Sequence, residues 1–388
     1  FQYFSGYSLN SGGYVFSQGN YTNGVASPAM INKNLTWIKV NMYNFGIDFS
    51  IFNRLIAVEF DIYQRDRSGL LADRYGSLPN TFGSKLPQEN LNGDRTRGLE
   101  FTLTHTKQIG DFHYSVSGNF NLARTQRRYV ESGPYKSSME RWRNQSSNRW
   151  GDFIWGYQTD GRFQNFDEIN TYPIQNGDNG NSKELPGDFI LKDVNGDGRI
   201  TEDDQVPLAY SNYPLLMYGF GGEFRYKSFT LACLFKGTGN TTYFKVGNGY
   251  EMGYVPFHGE KTGNVPVEAG VQANRWTPAW YSGDPSTENP NAAFPRLSYG
   301  KNENNTKKST FWKDNARYLR LQEISLTYNL KTKGFVKRLG IQSFDFQLVG
   351  YNLAVWSGVK TVDPEQAQKM GRVYPIPARY AFQTYIHF

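Results

Sequence analysis

Residues 44–63 have the sequence NFGIDFSIFNRLIAVEFDIY, in which two apolar–polar alternations flank a short break. Phe45 and Ile47 alternate with polar or small neighbours in the first segment, and Val58 and Phe60 do so in the second. A repeat of two residues places apolar side chains on one face of a β-strand and polar side chains on the other. Because only a few residues separate the two segments, this stretch predicts a tight antiparallel hairpin with one apolar and one polar face.

The same alternation recurs along the chain and predicts about ten strands in total. Residues 317–330 also predict a strand, but their apolar positions change parity near Glu323. A β-bulge and an exit from a membrane both account for such a change. The other alternating segments are Leu99–Leu103, Phe112–Leu122, Phe220–Tyr226, Phe229–Phe235, Phe344–Leu348 and Tyr380–Phe388.

The composition excludes a helical membrane protein. The 388 residues are 38% hydrophobic, with a mean hydropathy of -0.63, and no run of about 18 or more consecutive apolar residues occurs. Aromatic residues make up 16% of the chain, which also contains 40 glycines. A transmembrane β-barrel has this composition because only one face of each strand meets lipid. A soluble β-sandwich or propeller would share the glycine and tyrosine content.

The charge pattern and the cysteine content exclude further classes of protein. The formal net charge is +7 and the pI is about 9.1, but basic and acidic residues are interspersed, which argues against nucleic-acid binding. The single Cys233 excludes an internal disulfide and is expected to be a small buried or lipid-facing residue. The chain begins with Phe1 and shows no leader pattern, from which we expect a processed chain or a fragment.

Two features favour a membrane barrel over a soluble sandwich. Tight turns alternate with long polar connections, such as residues 66–96 and 238–310, and outer-membrane barrels have short periplasmic turns and long extracellular loops. The second feature is that the polar face of each strand is fully hydrophilic, which suits a wet or plugged lumen better than a closed core. We therefore predict an all-β fold, a transmembrane antiparallel β-barrel.

The ordered segments over residues 33–388 resemble the C-terminal half of SusC/RagA-type TonB-dependent outer-membrane transporters of Bacteroidetes. The resemblance implies a plugged barrel of about 22 strands, of which residues 1–388 form the C-terminal portion with long extracellular loops. The plug domain and TonB box would belong to an N-terminal portion outside this sequence. Segments that carry the resemblance include RTRGLEFTLT (95–104), LKDVNGDGRITEDDQ (191–205), ARYLRLQEISLTYNL (316–330), VDPE (362–365) and YPIPARYAFQTYIHF (374–388).

The resemblance also implies partners and a location in the cell outer membrane. The expected partners are a SusD-like surface lipoprotein, TonB-ExbB-ExbD acting through the missing N-terminal part, outer-membrane lipid and lipopolysaccharide, and the remaining half of the barrel. That half also follows from energetics, because an open sheet leaves edge groups that cost several kcal/mol each in lipid. Phe388 would serve as the signal for the barrel-assembly machinery.

Residues 193–204 have the ligand spacing of a calcium-binding loop. Oxygen donors occupy positions 1, 3 and 5, Gly198 occupies position 6 and a carboxylate occupies position 12, although that carboxylate is the shorter Asp instead of Glu. We expect a structural Ca²⁺ that holds an extracellular connection; an Asx-rich turn that needs no ion is the alternative. The expected ligands are Asp193, Asn195, Asp197, the Arg199 carbonyl, Thr201 and Asp204.

The chain is not expected to be an enzyme. Its four histidines, His105, His113, His258 and His387, lack metal-ligand spacing, and no GxSxG or HExxH motif occurs. His105 and His113 lie in neighbouring predicted strands, yet two wet strand residues are the simpler interpretation.

Tryptophans in the connections are the candidates for substrate contact, because flat aromatic faces stack on sugar rings and peptide side chains. An interfacial aromatic girdle or loop packing explains the same residues without a ligand. Arg141, Arg143 and Arg149 flank two of them and could steer anionic substrates or bind lipopolysaccharide phosphates; solvated loop charge is the alternative. The candidate substrate residues are Trp142, Trp150, Trp155, Trp276 and Trp280.

The leading functional hypothesis is a subunit or fragment of an energised importer of oligosaccharides or peptides that works with a SusD-like lid. A passive porin or a surface adhesin barrel is the first rival, and a TonB box with a plug upstream would exclude it. An outer-membrane hydrolase barrel is the second rival, although no acid–histidine site is singled out by the sequence.

Overall fold

The computed structural model describes most of the chain. Within it, two compact units are separated by their contacts: residues 1–45, 62–98 and 123–151 form the first unit, and residues 46–61, 99–122 and 152–388 form the second. The described residues are 6–15, 19–26, 30–76, 79, 81, 86–176, 180–245, 274–298, 302–360, 362–369 and 373–388.

Strands dominate the structure. The first nine are β1 (Ser8–Val15), β2 (Tyr21–Ala26), β3 (Lys39–Ile51), β4 (Ile56–Ala72), β5 (Glu89–Ile109), β6 (Phe112–Tyr129), β7 (Arg149–Trp150), β8 (Phe153–Gly156) and β9 (Thr159–Arg162). The next nine are β10 (Phe189–Leu191), β11 (Val206–Tyr210), β12 (Leu216–Tyr226), β13 (Phe229–Gly239), β14 (Thr242–Phe244), β15 (Lys313–Asn315), β16 (Tyr318–Lys331), β17 (Ser343–Ser357) and β18 (Arg379–His387).

Helices are few and short, and all lie in the connections. None of those in the described part of the chain is long and apolar enough to cross a membrane. The α-helices are Ser138–Asn144, Phe166–Thr171, Ala279–Ser282 and Gly334–Arg338, and the 3-10 helices are Glu202–Asp204, Pro285–Thr287 and Pro364–Lys369.

One ten-stranded sheet contains most of the long strands. Its order is β18-β17-β16-β13-β12-β6-β5-β4-β3, with β7 beside β6. The strand pairs from β6 through β12, β13, β16 and β17 to β18 are all antiparallel. Tight turns close the hairpins β3–β4, β5–β6 and β12–β13, as the alternation predicted. The predicted all-β antiparallel fold is confirmed; the large sheet has about the predicted number of strands, and eight further described strands form four two-stranded sheets.

The apolar residues that define the predicted hairpin lie on the surface and not in a core. Phe45, Ile47 and Phe49 of β3 are 60%, 45% and 46% exposed. A soluble two-layer sandwich would bury such a row between two sheets. Their exposure agrees with an apolar sheet face that meets lipid.

A β-bulge explains the change of parity near Glu323. Leu321 and Glu323 of β16 pair with the adjacent residues Phe235 and Leu234 of β13, so Gln322 is an extra residue in β16. The register against β17 shifts at the same place. An extra residue restores the parity, so the apolar positions before and after the bulge share one face of the sheet. Of the two explanations for the parity change, the structure supports the bulge.

The long connection predicted at residues 66–96 is shorter than expected. β4 continues to Ala72 and β5 begins at Glu89, so most of this segment is strand. The segment 238–310 also contains regular structure. β13 extends to Gly239, and both β14 and the helix Ala279–Ser282 lie within the segment. Its central part lies outside the described residues.

Cross-strand ion pairs stabilise the ends of β4 and β5 that the sequence pattern did not predict. Arg67 of β4 forms an ion pair with Asp94 of β5, and Arg95 Nε lies 2.6 Å from Asp66 Oδ1. Opposite charges on neighbouring strands stabilise their pairing. A strand with charged residues on both faces lacks the alternation of apolar and polar residues. The sequence pattern therefore does not predict these two strand ends.

Candidate functional site

A charged cluster lies on the polar face of the sheet, where β13 and β16 lead into long connections. Lys236 lies opposite Arg320, and Thr238 lies opposite Tyr318, so these side chains share one face. Arg320 is only 2% exposed. A guanidinium at such a buried position needs a fixed anionic partner, because an unpaired buried charge is strongly destabilising.

The connection between β17 and β18 supplies that partner. Arg320 Nη2 lies 2.6 Å from both carboxylate oxygens of Asp363. Glu365 Oε1 lies 2.6 Å from Lys236 Nζ and accepts a hydrogen bond from the Tyr318 hydroxyl at 2.7 Å. Burial by itself raises the pKa of Glu365, but the contacts with Lys236 and Tyr318 outweigh burial and lower it below its ordinary value. The VDPE segment is therefore held against the polar face by ion pairs.

A cleft of about 620 Å³ adjoins this cluster. Glu100, Asn121, Lys236, Tyr318 and Glu365 line its polar side. Asn121 Nδ2 donates to Glu100 Oε1 at 2.6 Å, so these groups also have partners. Because the carboxylates and cations of this cluster are held in pairs, the arrangement fits a binding wall better than a reaction site.

The predicted calcium loop, residues 193–204, is an ordered turn stabilised by its own side chains. Asp193 accepts hydrogen bonds from the Gly196 and Gly198 N–H groups at 2.7 and 2.9 Å, one on each carboxylate oxygen. Asp197 Oδ1 accepts from the Arg199 N–H at 2.8 Å. The backbone φ values of Gly196 and Gly198 are +74° and +80°, a region that favours glycine over other residues.

Asp204 closes the calcium loop from its C-terminal end. It is fully buried, and its carboxylate accepts from the Val194 N–H at 2.8 Å and from the Thr201 N–H at 2.7 Å. Among the described residues no group of three or more His, Cys, Asp or Glu side chains is arranged to hold a metal ion. The oxygen donors at positions 1, 3 and 5 lie on one exposed turn, and calcium binding stays a prediction.

A buried polar core supports the connections of the second unit. Asp188 is fully buried and accepts hydrogen bonds from Arg296 Nη2 at 2.9 Å, from Asn302 Nδ2 at 2.9 Å and from Asn305 Nδ2 at 2.7 Å. Asn305 Oδ1 in turn accepts from the Phe189 N–H at 2.9 Å. A buried carboxylate with this many donors fixes the path of three chain segments at once.

Glu184 is the exception in this polar core. It is 2% exposed, and both of its carboxyl oxygens are buried beside the Asp188 carboxylate. Burial, together with the nearby Asp188 carboxylate, raises the pKa of Glu184 to about 7. Burial also lowers the pKa of Lys307, although the nearby Glu184 carboxylate opposes that change. Glu184 therefore exchanges its proton near neutral pH.

The candidate tryptophans fall into exposed and covered groups. Trp280, on the helix Ala279–Ser282, is 85% exposed, and Trp142 is also exposed. Trp150 is partly covered, because the Arg124 guanidinium lies 4.3 Å from its ring centroid. Arg149, which precedes Trp150 in the chain, donates from its Nη2 to the Trp142 carbonyl at 2.5 Å.

Trp276 is an interior residue and not an exposed aromatic platform. It is 2% exposed, and its ring lies against Gly187, whose φ is +92°. A side chain at Gly187 would overlap that ring, so the glycine makes room for it. Trp155 is half-buried in β8, opposite Pro207 of β11. Of the five candidates, Trp280 and Trp142 are the most accessible.

The histidines and the terminal residue have ordinary environments. The His105 ring stacks on Tyr114 with centroids 5.5 Å apart, while His113 lies on the opposite face of β6, so the two histidines do not form a pair. His387 Nε2 lies 2.9 Å from Asp345 Oδ2, and His258 lies outside the described residues. Phe388 follows β18 and is exposed.

Comparison with known proteins identifies relatives of one kind. No family model matches the chain. TonB-dependent receptor P26 of Formosa agariphila is 26% identical over 344 residues, which cover 86% of this chain and 32% of the receptor. TonB-dependent receptor P3 of the same organism is 23% identical over 361 residues, covering 88% of this chain and 32% of that receptor. The chain thus spans about a third of the length of the curated relatives it matches.

Solved structures share the fold. The structure of the RagAB peptide transporter superimposes with a TM-score of 0.70 at 19% identity, over 100% of this chain and 39% of that chain. The RagAB peptide importer in its "open-open" state gives a TM-score of 0.66 at 18% identity, over 100% of this chain and 38% of the other.

Glu184 makes the stability of its connection depend on pH. Because its pKa in the folded chain lies above the ordinary value, the stabilisation is complete below pH about 4.5 and is lost as pH rises through about 7. Amide exchange of residues 180–191, corrected for its intrinsic pH dependence, should therefore accelerate between these pH values. Glu184→Gln should abolish the acceleration, because the amide cannot ionise.

The matched control is Asp167→Asn, at an exposed position on the helix Phe166–Thr171. This change removes an equal charge and should leave the pH profile of wild type intact. A wild-type profile that is flat from pH 4.5 to 8 would contradict the role given to Glu184.

Breaking the buried ion pair between Arg320 and Asp363 should reduce stability more than breaking an exposed ion pair. Asp363→Ala removes the main partner of Arg320 and should destabilise the VDPE segment by about 3–5 kcal/mol, seen as faster amide exchange and protease cleavage in residues 362–369. Glu223→Ala breaks the exposed pair with Arg225 and should cost at most about 1 kcal/mol. Equal effects of the two changes would show that Asp363 does not hold the segment.

Proposed function

We propose that this chain, a relative of the TonB-dependent receptors, forms part of the wall of an energised outer-membrane importer of nutrients. The observation that carries the proposal is the ten-stranded antiparallel sheet, whose one face is apolar and exposed and whose other face is polar and charged. A wall between lipid and a wet interior requires these two faces. The cell outer membrane is the location that fits.

The resemblance predicted from the sequence is confirmed, since the curated relatives are TonB-dependent receptors and the fold is that of a RagAB chain. Those relatives are receptors and not enzymes, in agreement with the prediction for this chain. The chain corresponds to about a third of their length, so in our proposal the remaining wall, the plug and the coupling to TonB-ExbB-ExbD belong to the rest of a larger assembly.

A SusD-like lipoprotein lid and an oligosaccharide or peptide substrate complete the proposal. The RagAB structures are described as those of a peptide transporter and a peptide importer, which makes a peptide a reasonable substrate class. Trp280 and Trp142 are exposed aromatic side chains on the connections. Such side chains offer stacking surfaces to sugars or peptides that arrive from outside.

The test is energy-dependent uptake by the full transporter in its native membrane. Cells with the transporter should accumulate labelled peptide or oligosaccharide, and an uncoupler of the inner-membrane proton gradient should stop accumulation. Deleting TonB should have the same effect. Uptake that persists at an undiminished rate after both treatments would identify a passive porin and refute the proposal.

A structural Ca²⁺ in the loop 193–204 is the second part of the proposal. Each carboxylate oxygen has two lone pairs, so Asp193 and Asp197 keep acceptor capacity for a cation beside their hydrogen bonds to backbone N–H groups. Asn195, the Arg199 carbonyl and Thr201 would add further oxygen atoms, and Asp204 would close the loop from inside. When bound, the ion would stiffen the connection without taking part in a reaction.

Calcium binding is measured by titration calorimetry on the full transporter after chelation. Asp193→Ala with Asp197→Ala should remove one binding event, and a chelator should then no longer accelerate amide exchange in residues 193–204. The exposed Asp167→Asn serves as control and should retain the event. An Asx-rich turn without an ion predicts identical exchange with and without chelator in wild type.

A further inference from the structure

The connection between β6 and β7 contains a cleft of about 620 Å³. Four serines, one tyrosine and one glutamine line it, together with Lys136 and Arg141. The lining has no aliphatic side chain and no carboxylate. Ligand pockets are usually lined by apolar side chains, so a cleft of this composition suits a hydrophilic ligand.

The walls of the cleft are held by short hydrogen bonds. Ser147 Oγ accepts from the Val130 N–H at 2.9 Å and donates to the Val130 carbonyl at 3.1 Å. The Tyr135 hydroxyl donates to Ser132 Oγ at 3.0 Å. Ser137 Oγ accepts from the Glu140 N–H at 3.0 Å. These bonds fix both ends of the connection, so the cleft exists before a ligand arrives.

Two cationic side chains, Lys136 and Arg141, line the cleft. The Glu140 carboxylate accepts a hydrogen bond from the backbone N–H of Lys136 at 2.5 Å. Arg141 Nε donates to Gln145 Oε1 at 3.1 Å, which leaves its two terminal amino groups available. In the described part of the chain no carboxylate forms an ion pair with the side chain of Lys136 or Arg141.

We propose that this cleft binds an acidic saccharide, whose carboxylate or sulfate group lies between the Lys136 ammonium and the Arg141 guanidinium. A guanidinium donates two parallel hydrogen bonds to such a planar or tetrahedral oxyanion, and an ammonium adds a point charge. The serine hydroxyls and the Gln145 amide match the hydroxyl groups of a sugar. The volume far exceeds that of a single ion, and most of the lining side chains end in a hydroxyl, amide or cationic group. The inference rests on the proposed import function and names an acidic class of substrate for it.

The experiment is calorimetric binding to the purified full transporter. The probes are trigalacturonate, its methyl ester, a sulfated galactose disaccharide and inorganic sulfate. The test variant is Lys136→Gln with Arg141→Gln. The control is Lys183→Gln with Arg338→Gln, which removes the same charge at two exposed positions that do not line the cleft.

Wild type and control should bind trigalacturonate or the sulfated disaccharide alike, and the test variant should bind it at least tenfold more weakly. Lys136→Arg with Arg141→Lys should recover part of the affinity, and the methyl ester should bind wild type as weakly as trigalacturonate binds the test variant. Equal affinity for test variant and control, no binding of either acidic probe, or full competition by inorganic sulfate would each overturn the proposal. Because binding needs no energy source, its loss is distinct from a failure of uptake.

Discussion

Satisfaction of backbone hydrogen bonds is the constraint on which the rest of the structure depends. In hydrocarbon no water is available to pair a free N–H or C=O group, so each strand must have a neighbour on both sides. The ladder from β18 to β3 meets this requirement for every strand except its two edge strands. A wall of this kind is complete only when the free edges of β3 and β18 also have pairing partners.

The strands of the large sheet, which this constraint requires, could mostly be predicted from the sequence. Alternation of apolar and polar residues has a fixed physical period, so it located the hairpin around Phe45 and Val58, most long strands of the large sheet and the parity change near Glu323. The alternation did not predict the strand ends in which charged residues take the place of apolar ones. The ends of β4 and β5 pair through Asp66, Arg67 and their partners, and no apolar row marks them as strands.

The candidate sites were predictable only where their residues are neighbours in sequence. The loop 193–204 is local, and its turn could be anticipated from ligand spacing. The pairing of Arg320 with Asp363 joins residues far apart, so the VDPE segment could be recognised as a family feature but not as a tether. Burial is equally non-local: Trp276 and Trp280 are four residues apart, yet one is interior and the other exposed.

Buried polar groups explain how long connections acquire a definite shape without a large apolar core. Asp188 and Asn305 bind several segments through directional hydrogen bonds, and such bonds accept one arrangement where apolar contacts would accept many. Exposed side chains on these connections therefore have a backbone whose conformation is already fixed. A ligand that meets a fixed frame loses less entropy to loop ordering than one that must organise a flexible loop. The sheet thus fixes where the connections start and end, and the buried polar groups fix the paths of those in the second unit.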